Sequence, residues 1–238
     1  MKYAIASLLA STSAIQIRQQ STATFNGSKA QCDANFMRMW NQSTQTLTGA
    51  LVKNNTYGGK FYDPTFIADS SMLYNDLQTS AGQASGVANY KDQIEKKDGD
   101  SGVKYQRISD KVPGSLSLWG TEGINVKISE QGYDGDCWFL SQASSLAAYP
   151  ERVKAMFPGQ DEYSDIGAFQ VRLFVRGKPV NVIVDDLIPV KGYTCEIGYS
   201  VNYPPIMNKP SKQGAWWLVI LEKAVAKLNV NYLGINGG

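Results

Sequence analysis

Apolar and polar positions along the chain change rhythm several times, and each change predicts an element. Phe169-Gln170-Val171-Arg172-Leu173-Phe174-Val175 alternates as a strand. Arg176-Gly177-Lys178-Pro179 turns it into a second strand, Val180-Asn181-Val182-Ile183-Val184, so the pair is a hairpin. Asp185-Asp186, with Pro189 close by, reads as solvated turn residues at the strand end rather than a metal pair. From Cys137 the period becomes helical: Leu140, Ala143, Leu146 and Ala147 share one face, and Pro150 follows as a stop. A second helix is predicted where Trp217, Ile220, Leu221, Ala224 and Leu228 form an apolar stripe, with an amphipathic character expected. Residues 191–214 between hairpin and helix form a long loop containing Gly, Pro and Asn.

The N-terminal part is different. Residues 15–60 are rich in Ser, Thr, Gln and Asn, with one helix-like run at Asn35-Phe36-Met37-Arg38-Met39-Trp40, and read as a polar extension. Aromatic and proline punctuation starts at Phe61-Tyr62-Asp63-Pro64-Thr65-Phe66, where the main domain, 61–238, is placed. A second polar stretch spans Thr79–Gly86. Residues 91–100 are a charge run expected to be a solvated helix end and loop. Asp98-x-Asp100 within it does not make a calcium loop, because Val103 and Ser109 stand where loop position six and the closing glutamate would be.

Met1-Lys2 followed by Tyr3-Ala4-Ile5-Ala6-Ser7-Leu8-Leu9-Ala10 is one positive charge and a short apolar run, then small residues to Ala14. The pattern is that of a secretory signal peptide over 1–14, cleaved near Ala14, and is too short to span a core needing ~20 apolar residues. Sequons at Asn26, Asn41 and Asn54 agree with entry into the secretory pathway. No later segment is long and apolar enough for a transmembrane span, so a secreted or lumenal product is expected, with a cytoplasmic one as the alternative.

Charge narrows the partners. With 23 basic and 21 acidic residues and no basic stripe, the sequence gives no electrostatic footprint for nucleic acid. Its 43% hydrophobic content suffices for a buried core. Three cysteines, Cys32, Cys137 and Cys195, suggest one pair and one free thiol; if Cys137 is the functional thiol, Cys32 and Cys195 remain to pair.

The candidate chemistry lies in Gln131-Gly132-Tyr133-Asp134-Gly135-Asp136-Cys137-Trp138. A cysteine opening a helix stands at the positive end of the helix dipole, which suits a thiolate nucleophile. A glutamine on a glycine-containing loop just before it can offer an amide donor to an oxyanion beside the sulfur. A small buried core thiol is the bland alternative. The whole sequence contains no histidine, although a thiol nucleophile ordinarily works with one.

Gln131-Gly132-x-x-Gly135-Asp136-Cys137-Trp138 resembles the active-site cysteine motif of the calpain family of papain-like cysteine proteases. Three further segments are similar to calpain cores in the same order: Phe61-x-Asp63-Pro64-x-Phe66 with Ser70-Ser71-x-Leu73, Val182-x-Val184-Asp185-Asp186-Leu187-x-Pro189, and Trp217-x-x-x-Leu221-Glu222-Lys223-Ala224-x-Ala226-Lys227-Leu228 followed by Gly237-Gly238. The resemblance implies an α+β fold, the helix-rich N-terminal lobe of a papain-like catalytic core with an antiparallel hairpin. It also implies Cys137 as nucleophile and Gln131 as oxyanion-hole donor, with the Cys137 backbone N–H as second donor and Trp138 beside the cleft. The family's histidine and asparagine are expected in a second lobe beyond the double glycine, so these residues are expected to be a first lobe, inactive alone on protein or peptide substrates.

Calcium is implied by the family, but the acidic positions expected of this lobe, three before the glutamine and two before the helix tryptophan, are Ile128 and Ala215. Two functional readings follow: a calpain-type endopeptidase acting through a Cys137 thioester, and a non-catalytic secreted module that keeps the lobe as an interaction surface. A third is a disulfide-stapled domain in which Cys137 is buried.

Overall fold

The computed structural model describes Leu47 and residues 49–74, 103–110, 116–126, 131–132, 134–175, 177–191, 207–211 and 214–237. The signal pattern, the run at 35–40, the polar stretch at 79–86, the charge run at 91–100, Asn26, Asn41, Cys32, Ile128 and Cys195 lie outside the described residues. So does most of the 191–214 loop.

In chain order the elements are α1 (Gly49–Asn54), β1 (Thr56–Tyr57), β2 (Lys60–Phe61), α2 (Ser70–Leu73), β3 (Val103–Arg107), α3 (Cys137–Ala147), α4 (Pro150–Ala155), β4 (Ala168–Val175), β5 (Lys178–Asp185), β6 (Leu187–Lys191) and α5 (Trp217–Leu228). Short 3₁₀ turns follow β3, at Ile108–Asp110, and α5, at Tyr232–Gly234. The strands pair as three antiparallel ribbons, β1 with β2, β3 with β6, and β4 with β5. Helix and sheet are therefore mixed.

The predicted hairpin forms in register, with Ala168 opposite Asp185 and Val175 opposite Lys178. Its alternation works as read: Phe169, Val171, Leu173 and Val175 are buried, while Arg172 and Phe174 between them face solvent. Asp69 caps α2 by accepting from the Ser71 N–H at 2.8 Å. Exposed Asn54 closes α1, and the Thr56 hydroxyl of its sequon donates to the Val52 carbonyl at 2.6 Å.

Three expectations are corrected. Pro150 does not merely stop a helix; it stands at the first position of α4, where its missing N–H costs nothing. Helix α5 is not amphipathic. Every residue from Trp217 to Leu228 is buried, including Glu222, Lys223 and Lys227, because the helix runs through the core with protein on all sides. Asp185 and Asp186 are not solvated, at 1% and 0% exposure.

The last two corrections share one cause, a set of buried ion pairs. The Lys223 ammonium of α5 pairs with Asp185 and donates to the carbonyls of Asp185 at 3.0 Å and Leu187 at 2.7 Å. Lys227, one turn on, donates to Asp63 Oδ2 and to the Ile183 carbonyl, both at 2.7 Å. Arg107 of β3 pairs with Asp186 and donates to the Phe61 carbonyl at 2.6 Å, while Tyr163 donates to Asp186 Oδ2 at 3.0 Å. Asp185 Oδ2 also accepts from the Asp63 N–H at 2.8 Å. Each buried cation thus meets a carboxylate plus at least one carbonyl, the condition under which charges can leave water. The pairs fasten α5 to β5, to the start of β6 and to the 61–63 segment, and so fix the frame behind the cysteine loop.

Candidate active site

Helix α3 begins where the Asp136 carbonyl accepts from the N–H groups of Phe139, at 2.8 Å, and Leu140, at 3.1 Å. Phe139, Ala143, Leu146 and Ala147 turn into the core, and Leu140 is half-buried. Cys137 occupies the first helical position with its thiol exposed and unbonded to another cysteine. That removes the reading in which Cys137 is a buried core thiol. Trp138 is half-buried, edge-on to Phe139 with ring centroids 6.0 Å apart, and its indole N–H donates to the Ile235 carbonyl at 2.9 Å.

Gln131 is exposed, and its side-chain amide folds onto the loop that leads to the sulfur: Nε2 donates to the Asp134 carbonyl at 2.7 Å. An amide nitrogen carries two hydrogens, so this bond fixes the group's orientation and leaves the second hydrogen for another acceptor. The structure thereby ties the two predicted site residues to one loop.

The chain returning from α5 grips that loop. The Gly135 N–H donates to Asn236 Oδ1 at 3.0 Å and lies 3.1 Å from Asp134 Oδ1, and the Gly237 N–H donates to the Gly135 carbonyl at 2.9 Å. A Cβ on residue 135 would collide with Asn236 Oδ1, so a side chain there would push the asparagine amide off the loop.

Behind the sulfur, Asp134, Asp136 and Glu222 each place a carboxylate oxygen within 4.8 Å of the others, all buried. Neither oxygen of Asp136 has a well-formed hydrogen bond among the described residues, and its carboxyl lies where it can share a proton with that of Glu222. Burial pushes the Asp136 carboxyl up to about 6, against a lowering by that shared bond. Glu222 is held well above the ordinary carboxylate range by burial and then by the charges of Asp136 and Asp134, although the Asn208 N–H donates to it at 3.1 Å. Burial, followed by the charges of Glu222, Asp134 and Asp136, likewise keeps the Tyr232 hydroxyl protonated. The carboxylate spacing would admit a hard cation as well as a shared proton. Of the two positions tied to family calcium, Ala215 is buried and has no oxygen on its side chain.

Sequence reasoning missed Asn236 and the Asp136–Glu222 pair. Asp136 and Glu222 both stand within the quoted motifs, but their contact links elements far apart in sequence. Asn236 directly precedes the double glycine and carried no signal of its own.

Chemically, an exposed thiol at a helix start, with an oriented amide donor on the adjoining loop, has the parts that a thiol acyl-transfer centre requires on its nucleophile side. The sequence profile of the calpain family cysteine proteases matches residues 61–238, and the chain belongs to that family. It is 30% identical over 196 residues to the calpain-2 catalytic subunit of Gallus gallus, covering 80% of this chain and 24% of that protein. Human calpain-12 is 34% identical over 110 residues, 45% of this chain and 14% of calpain-12. The calpain-type cysteine protease DEK1 of Zea mays is 39% identical over 108 residues, 45% of this chain and 4% of DEK1. The chain therefore matches a quarter or less of the length of these relatives. Among the described residues no helix is long and apolar enough to cross a membrane.

Proposed function

We propose that this chain is the nucleophile-bearing first lobe of a papain-like, calpain-type cysteine endopeptidase. The observation that carries the reading is the exposed Cys137 at the start of α3, with the Gln131 amide anchored on the same loop. Cys137 Sγ, its proton passed to the base that the second lobe supplies, attacks the scissile carbonyl carbon as thiolate, forming the S–C bond as the carbonyl π bond opens. The carbonyl oxygen gathers negative charge, which the free Gln131 amide hydrogen and the Cys137 backbone N–H receive. Collapse to the thioester expels the amine, which must leave with a proton. The 238 residues contain no histidine to supply it, so the acid and its orienting partner belong to a second lobe, in line with family resemblance. The signal pattern at 1–14 and the sequons support a secretory setting for this activity.

An activated ester separates nucleophile from acid, because p-nitrophenolate needs no proton to leave. Treated with p-nitrophenyl acetate, the 238-residue chain is expected to release one equivalent of p-nitrophenolate in a burst and to carry the acetyl group on Cys137, while hydrolysing no peptide bond. Acetylation that is unchanged in Cys137→Ser, or absent until the chain is unfolded, would overturn the assignment. Cys137-dependent peptide hydrolysis by this chain would overturn the need for a second lobe.

A further inference from the structure

One peptide unit links two side chains at this site. The Asp134–Gly135 peptide accepts at its carbonyl from Gln131 Nε2, at 2.7 Å, and donates at its N–H to Asn236 Oδ1, at 3.0 Å. The Gly237 N–H donates to the next carbonyl, that of Gly135, at 2.9 Å, so the 236–237 segment holds the loop at two successive peptides. We propose that Asn236 is a positioning residue for the oxyanion donor, setting the Gln131 amide through the single peptide plane between them. The inference rests on the reading of Gln131 as that donor.

A peptide plane is rigid, so turning its N–H turns its carbonyl by the same angle. Gln131 is exposed, and the Asp134 carbonyl is an acceptor that orients its amide. A hydrogen bond to the N–H polarises the peptide and strengthens its carbonyl as an acceptor, so the Asn236 bond and the Gln131 bond reinforce each other. Losing Asn236 Oδ1 leaves the Gly135 N–H to Asp134 Oδ1, at 3.1 Å on the residue just before it, so the plane turns toward that acceptor and the Gln131 amide turns with it. An oxyanion donor acts only when its hydrogen meets the developing charge, so a small rotation is enough to forfeit it. The bare Cα at residue 135 belongs to the same device, since a side chain there would displace Asn236.

Two reactions of Cys137 in the 238-residue chain separate positioning from general damage. Acetylation by p-nitrophenyl acetate builds an oxyanion, whereas alkylation by iodoacetamide displaces iodide and builds none. Gln131→Ala is expected to slow acetylation by roughly 10- to 100-fold, at or below the lower end of the roughly 100- to 1000-fold range for removing one such donor. Asn236→Ala should slow it about tenfold and leave alkylation within about twofold. Asn236→Asp keeps an acceptor oxygen and should restore most of the rate. The double variant should be no slower than Gln131→Ala alone, because the asparagine acts through the glutamine. Gly135→Ala, which attacks the contact from the other side, should repeat the Asn236→Ala pattern and serves if that variant does not fold.

Equal slowing of acetylation and alkylation would make Asn236 a structural residue and overturn the proposal. Multiplying losses in the double variant would do the same. An unchanged acetylation rate in Gln131→Ala would overturn the reading of Gln131 itself, a failure distinct from either.

Discussion

Asp136, the residue before the sulfur, faces Glu222 of α5 inside the core, and among the described residues no lysine or arginine pairs with either. By contrast the buried carboxylates Asp63, Asp185 and Asp186 each have a cation, while Asp134 lies in the same cluster as Asp136 and Glu222. Two carboxyls so placed cannot both ionise cheaply, and a proton holds them together.

The consequence is a pH dependence of stability with a definite sign. Asp136 titrates near 6 in the folded chain against 3.8 unfolded, so its contribution is fully present below the unfolded value and is lost as pH rises through about 6. Asp136→Asn removes the titrating group without breaking a helix cap, since this side chain makes no cap hydrogen bond. In urea unfolding the variant should be more stable than the parent at neutral pH, by a margin on the order of 3 kcal/mol, and the margin should close as the pH falls toward 4. A margin that stays constant across this window would contradict the shared proton.

Lys223 and Asp185 form a pair whose halves depend on each other. Lys223→Met leaves Asp185 without its cation in the core and should cost about 3–5 kcal/mol by urea denaturation. Adding Asp185→Asn should recover part of that loss, a coupling that a double-mutant cycle reads directly. Additive losses would mean that the pair does not act as a unit.

Trp138→Phe keeps an aromatic ring edge-on to Phe139 but leaves the Ile235 carbonyl without its indole donor. A loss of about 1 kcal/mol is expected, as a shift of the urea midpoint with an unchanged slope. No shift would show that water replaces the indole N–H at this half-buried position.

How much of this was legible in the sequence depends on how far the physics reaches along the chain. The β4–β5 hairpin was readable because alternation over Phe169–Val175 and a glycine turn are local facts. The start of α3 at Cys137 was readable from the same kind of periodicity, and the family motif supplied the roles proposed for Cys137 and Gln131. Asp185, Asp186, Glu222, Lys223 and Lys227 were misread or passed over because a charge suggests solvent until its partner is known. Their partners lie on other elements, such as Asp63 for Lys227 and Arg107 for Asp186. The stripe in α5 was real but described only one side of a helix that the protein encloses. Asn236 was invisible for the same reason: its bond to Gly135 spans 101 positions.

The central claim is that Cys137 and Gln131 work together on an acyl carbon. The most direct measurement is the rate of Cys137 acetylation by p-nitrophenyl acetate in the parent chain and in Gln131→Ala, set against iodoacetamide alkylation of the same two proteins. The account predicts that Gln131→Ala slows acetylation by roughly 10- to 100-fold and leaves alkylation nearly unchanged. Equal rates of acetylation in the two proteins would contradict it and leave Cys137 as an exposed thiol with no oxyanion site beside it.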